Sequence, residues 1–132
     1  MILIKNSQIT EDMIRVLNSF IELDINASPA FKLSRIVKEL SSIIEDKIKT
    51  EKRIFNKYVI RDENGEVERS KDEMGNIIPG TVVISDVDGF NKEMSELMNI
   101  EIELNHNKIK FDDLGLQIAK IKDLIKIEFL FE

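Results

Sequence analysis

The sequence predicts an α+β fold: a long helical hairpin and a short helix packed with a small antiparallel β-sheet. Three observations predict it. Residues 30–58 contain neither Gly nor Pro and carry apolar residues on a 4-3 spacing, as a long helix with a packing seam does. Residues 100–104 and 108–111 alternate apolar and charged side chains, as strands with one buried face do. The 132 residues are 42% hydrophobic and 33% charged, enough for one core and too apolar for a disordered chain. The expected organisation is a single domain, 1–132, with a protruding flap or hairpin at about 59–88.

Ile2 and Ile4 alternate with Leu3 and Lys5 in a stretch too short for a helix, which reads as the first strand. Thr10 followed by Glu11 and Asp12 reads as a helix start, the hydroxyl capping an early amide and the carboxylates lying at the positive end of the helix dipole. Ile9 and Ile14 would staple that start, and Ile14, Leu17 and Ile21, with Met13, Val16 and Phe20 beside them, form a wide apolar stripe to about residue 23. After a connector at 24–27, Ser28 reads as a cap and Pro29 as the first residue of the long helix. Its seam is Leu33, Val37, Leu40, Ile44, Ile54 and Tyr58, interrupted by Lys47 and Glu51 and broadened by Ile36, Ile43, Ile48 and Phe55. The charged second half is expected to project into solvent.

Turn formers crowd into residues 59–88. Asn64-Gly65 between Val59-Ile60 and Val67 predicts a β-hairpin, and Thr81-Val82-Val83-Ile84 is the most β-prone run. Asp86 or Asp88 would cap a third helix bearing Phe90, Met94 and Leu97, a seam suited to antiparallel packing on the long helix. If His106-Asn107 forms a turn, residues 100–104 and 108–111 pair as a hairpin with Leu104 facing Ile109, Glu103 facing Lys110 and Ile102 facing Phe111. Leu116 to Ile118 would add a strand, and Lys122 or Asp123 would open a terminal helix with Leu124, Ile127, Phe129 and Phe131 that docks on the core or on a partner. No internal repeat or low-complexity tract stands out.

Composition removes several classes of chemistry. The absence of Cys excludes a disulfide framework, a thiolate zinc site and a cysteine nucleophile, and one histidine, His106, gives no histidine cluster. A net charge of -6, with Lys and Arg interspersed along every segment, opposes direct binding of nucleic acid or an anionic membrane and reads as ordinary solubility. The opening residues have no basic n-region or long apolar h-region, and no apolar run approaches the ~20 residues of a membrane span. A soluble cytoplasmic protein is expected.

The candidates for chemistry each have a plainer explanation. Asp62, Asn64, Glu66 and Glu68 have the alternate spacing of a calcium loop, but Gly65 falls one place short, which favours a solvated hairpin tip. Asp86, Asp88, Asp112 and Asp113 would make a magnesium or acid-base site only if they converged, and each also suits a cap or turn. His106 suits a turn that tolerates positive φ. Gly75, Gly80 and Gly89 lack the lysine and hydroxyl pair of a phosphate loop. The expectation is therefore a protein that is not an enzyme, with no cofactor, no metal and no catalytic residue. Partner-binding positions are expected at Asn64, Gly65, Val82, Val83, Ile84, Phe129 and Phe131, with Val82 to Ile84 equally able to extend the protein's own sheet.

The runs Ile4-Lys5-Asn6-Ser7-Gln8-Ile9, Ala30-Phe31-Lys32-Leu33-Ser34-Arg35-Ile36, Asn99-Ile100-Glu101-Ile102-Glu103-Leu104 with Lys108-Ile109-Lys110 and Asp113-Leu114, and Asp123-Leu124-Ile125-Lys126-Ile127-Glu128-Phe129-Leu130-Phe131 occur in that order. Together they resemble a family of small phage and prophage proteins of unassigned function from low-GC Gram-positive bacteria. The likeness spans most of the chain, rests on packing patterns and departs from the family at 61–88. It implies a phage accessory protein acting by protein–protein contact in tail or receptor-binding fibre assembly, as chaperone or structural component. Its place would be the bacterial host cytoplasm or the virion. The partner would be a phage tail or fibre protein, and a homo-oligomer is compatible with the apolar terminus. The alternative is an anti-defence protein that binds and inhibits a host nuclease or CRISPR-type complex.

Overall fold

The computed structural model describes residues 2–23, 25–115 and 125–132. Its class is the mixed α+β expected. The elements are β1 (Ile2–Lys5), α1 (Glu11–Glu22), α2 (Ala27–Tyr58), α3 (Val87–Met98) and β2 (Glu101–Leu104), with 3-10 turns at Asn6–Gln8, Phe111–Leu114 and Glu128–Leu130. Two compact units result: Met1–Lys47 with Met98–Glu132, and Ile48–Leu97. The boundary falls inside α2. Among the described residues no helix is long and apolar enough to cross a membrane.

In the first unit β1 pairs antiparallel with β2 in the register Ile2↔Leu104, Leu3↔Glu103, Ile4↔Ile102 and Lys5↔Glu101. The isoleucines of β1 and Leu104 are buried, while Leu3 stands 65% exposed on the opposite side of the pleat. Thr10 caps α1 by accepting from the Met13 amide at 3.2 Å. The buried side of α1 is Met13, Val16, Leu17 and Phe20, with Ile14 and Ile21 half-buried at its margin. Leu33, Ile36, Leu40 and Ile44 of α2 complete the core with Ile127 and Leu130 of the C-terminal segment, which therefore docks on its own domain. Lys47, an interruption of the apolar seam, has a local task. Its ammonium donates to the Ile9 carbonyl and, at 3.1 Å, to the Asn6 carbonyl, which also accepts from the Ile9 amide that closes the 3-10 turn.

Three expectations need correction here. The 100–111 hairpin does not form: β2 pairs with β1, Ile109 makes a parallel bridge with Phe131, and residues 111–114 turn as a 3-10 helix. Alternation fixes which face of a strand is buried and leaves its partner open. His106 is no positive-φ turn residue, since among the described residues only glycines have positive φ, and its Nε2 lies 2.7 Å from Glu39 Oε2 on α2. Finally, α2 starts at Ala27, before Ser28. The Asn26 carbonyl accepts from the Ala30 amide, while the Asn26 side chain donates to the Asp113 carbonyl at 2.9 Å. Pro29 sits inside the first turn, where its missing N–H costs nothing. The strand expected at 116–118 and the helix start at 122–124 lie outside the described residues; residues 125–127 are helical.

In the second unit the outer half of α2 does not run free in solvent. Ile54 and Leu97 are each 8% exposed, and Phe55, Tyr58, Phe90 and Met94 are half-buried. Lys57 donates to Glu93 at 3.0 Å, and the Tyr58 and Phe90 rings meet edge-on with centroids 6.1 Å apart. Asp86 caps α3, its carboxylate accepting from the Gly89 amide at 3.0 Å.

Candidate functional site

Residues 59–85 of the second unit form the flap that the turn-rich composition announced, and its backbone is built from three segments joined in a ring. The Ile60 amide donates to the Val83 carbonyl at 2.9 Å, the Val83 amide to the Glu68 carbonyl at 3.0 Å, and the Glu68 amide to the Ile60 carbonyl at 2.9 Å. The bridge Val59↔Ile84 and the Ser85 amide on the Tyr58 carbonyl tie the ring to the end of α2. Val82, Val83 and Ile84 are half-buried, and Val83 spends both backbone groups inside the flap.

Two turns of one design leave this ring. At the first, Asp62 Oδ1 accepts from the Asn64 and Glu66 amides, the Gly65 amide donates to the Asp62 carbonyl, and Arg61↔Val67 closes the hairpin. At the second, Asp72 Oδ1 accepts from the Met74 and Asn76 amides, the Gly75 amide donates to the Asp72 carbonyl, and Lys71↔Ile77 closes it. Gly65 and Gly75 have φ of 80° and 83°, a region closed to most L side chains. The sequence does contain an internal repeat: Arg61-Asp62-Glu63-Asn64-Gly65-Glu66-Val67 recurs ten residues on as Lys71-Asp72-Glu73-Met74-Gly75-Asn76-Ile77. Its signal is the Asp three places before the Gly, which binds the turn whatever lies between. Attention to Asn-Gly alone finds the first copy and misses the second.

The copies differ in what they show to solvent. The first carries Asn64 and Glu68; the second carries Met74 and Ile78 at the same places, 88% and 40% exposed, beside Ile77 at 61%. A groove of about 970 Å3 follows the middle segment, lined by Arg61, Glu66, Val67, Arg69, Lys71 and Ile77 among others. Arg61 donates to the Gly65 carbonyl and the Asn56 side chain, and Arg69 to the Thr81 carbonyl, each at 2.9–3.0 Å. Below the flap, the Tyr58 hydroxyl and the Lys57 ammonium hold the Glu93 carboxyl below its ordinary range, and Glu93 in turn raises both partners.

Of the sequence-predicted positions, Asn64 and Gly65 sit exposed at the first tip, Val82 to Ile84 in the ring, and Phe129 and Phe131 half-buried in the first unit. The calcium-like spacing resolves into the first turn, where Asp62 already serves two amides. Asp86 caps α3, Asp88 is exposed in its first turn, and Asp112 and Asp113 lie in the 3-10 turn of the other unit. Among the described residues no group of three or more His, Asp or Glu is placed to share a metal ion. Within the flap, Met74, Ile77 and Ile78 are large apolar residues left exposed, and the sequence reading passed over them. Compared with protein families, with curated proteins and with solved structures, the chain matches none.

Proposed function

We propose that this chain acts by protein–protein contact through the flap and, following its resemblance to small phage proteins, that the contact serves tail or receptor-binding fibre assembly without catalysis. The observation that supports contact is the unequal pair of turns. The same Asp and Gly bonds hold both turns, yet the second copy exposes apolar side chains where the first exposes polar ones. Exposed apolar groups on a rigid loop suit a surface that is covered in use. The test is affinity capture by the tagged full chain from phage-infected cells, beside Met74→Asp. Recovery of a tail or fibre protein by the native chain and its loss with Met74→Asp supports the proposal. Equal recovery by both overturns the flap as the surface, and recovery of a host nuclease replaces assembly by the anti-defence alternative.

A further inference from the structure

The backbone groups of the flap's middle segment fall into two sets. Those of Glu66, Glu68, Ser70 and Asp72 are engaged: Glu66 with Asp62, Glu68 with Ile60 and Val83, Ser70 with Ile78 and the Thr81 hydroxyl, and Asp72 with Asn76. The amides and carbonyls of Val67, Arg69 and Lys71 between them take no hydrogen-bond partner among the described residues. Successive residues of an extended strand direct these groups to opposite edges, so the unused set lines one edge, bordering the groove.

Side chains alternate in the same way. Val67, Arg69 and Lys71 share one face, and the non-hydrogen-bonded pairs Arg61↔Val67 and Lys71↔Ile77 add Arg61 and Ile77 to it. That face holds three cations, while Asp62, Glu66 and Glu68, which also contribute to the lining of the groove, alternate to the other. Among the described residues none of the three cations is ion-paired. We propose that the edge at Val67, Arg69 and Lys71 receives an extended, acidic segment of a partner protein as an added strand, with its carboxylates over Arg61, Arg69 and Lys71. The proposal rests on the contact reading above and names the chemistry of the partner. A second copy of this chain fits poorly, because two-fold antiparallel pairing about Arg69 sets like charges opposite one another.

The test uses the full chain and two short capped peptides, one alternating Glu with Val and one alternating Lys with Val. The Glu peptide is expected to slow amide exchange at Val67, Arg69 and Lys71 while leaving Glu68 and Val83 as they were. Joint substitution Arg69→Glu and Lys71→Glu should weaken it by about tenfold or more and favour the Lys peptide. Arg69→Gln with Lys71→Gln, which adds no repulsion, should lower binding of the Glu peptide and keep the fold, checked by circular dichroism. Unchanged exchange at the three amides, exchange already slow in the free chain, or a preference that ignores the charge swap would each overturn the inference. The last result would leave the charges as a guard that keeps a bare edge from pairing. A natural partner that survives the charge swap but is lost with Met74→Asp would overturn this inference and leave the contact reading standing.

Discussion

Gly89 shows how one residue is fixed by its surroundings. It lies in the first turn of α3 at an ordinary helical position, where alanine gains up to about 1 kcal/mol in propensity. A Cβ there would run into the Asp86 carboxylate that caps the helix and come within 3.1 Å of the Tyr58 ring. Gly89→Ala is therefore expected to lower stability by roughly 1 kcal/mol or more, measured by urea unfolding; a gain would show that the cap and ring yield freely. Asp12 gives a pH-dependent counterpart. Lys126 first and Arg15 second hold its carboxyl below 3.8, so the stabilisation is present above that value and fades as pH falls below it. Asp12→Asn should flatten the acid limb of a melting-temperature profile, with little change near neutrality beyond the lost exposed pairs.

At the scale of elements, much was legible: β1, the cap and extent of α1, the long α2, α3 under Asp86, and the first hairpin each rest on a local rule with one outcome. The errors came where a local pattern admits two partners. Leu104 meets an isoleucine in either pairing, Ile109 in the expected hairpin or Ile2 in the structure, so apolar-face matching could not separate them. The long-range backbone contacts decide: the Ile109 amide donates to the Leu130 carbonyl, and Asn6 donates to Ile100 beside the β1–β2 ladder. Truncation follows the buried face of β2, which both pairings share. Leu104→Ala, at a site with 0% exposure, should cost about 2–5 kcal/mol, whereas Glu103→Ala on the outer face should cost under about 1 kcal/mol. Equal losses in chemical denaturation would contradict the burial of the Leu104 face of β2.

For the whole molecule, the candidate site was only half legible. The sequence located the turn-rich segment and its first tip, because Asn-Gly is a strong turn signal. The second tip stayed hidden, since Met74-Gly75 carries no such signal and its turn depends on Asp72 reaching two amides. The free edge was less legible still, because it emerges from which backbone groups the ring and the two turns consume. The flap at 59–85 is proposed as the contact surface in preference to exposed apolar residues of the first unit such as Phe31 and Ile125, at 63% and 62% exposure. The most direct measurement is hydrogen exchange, residue by residue, on the full chain alone and bound to the partner captured from infected cells. Binding is expected to slow exchange at Val67, Arg69, Lys71 and the Met74 turn; slowing confined to the segments around Phe31 or Ile125 would contradict the flap as the contact surface.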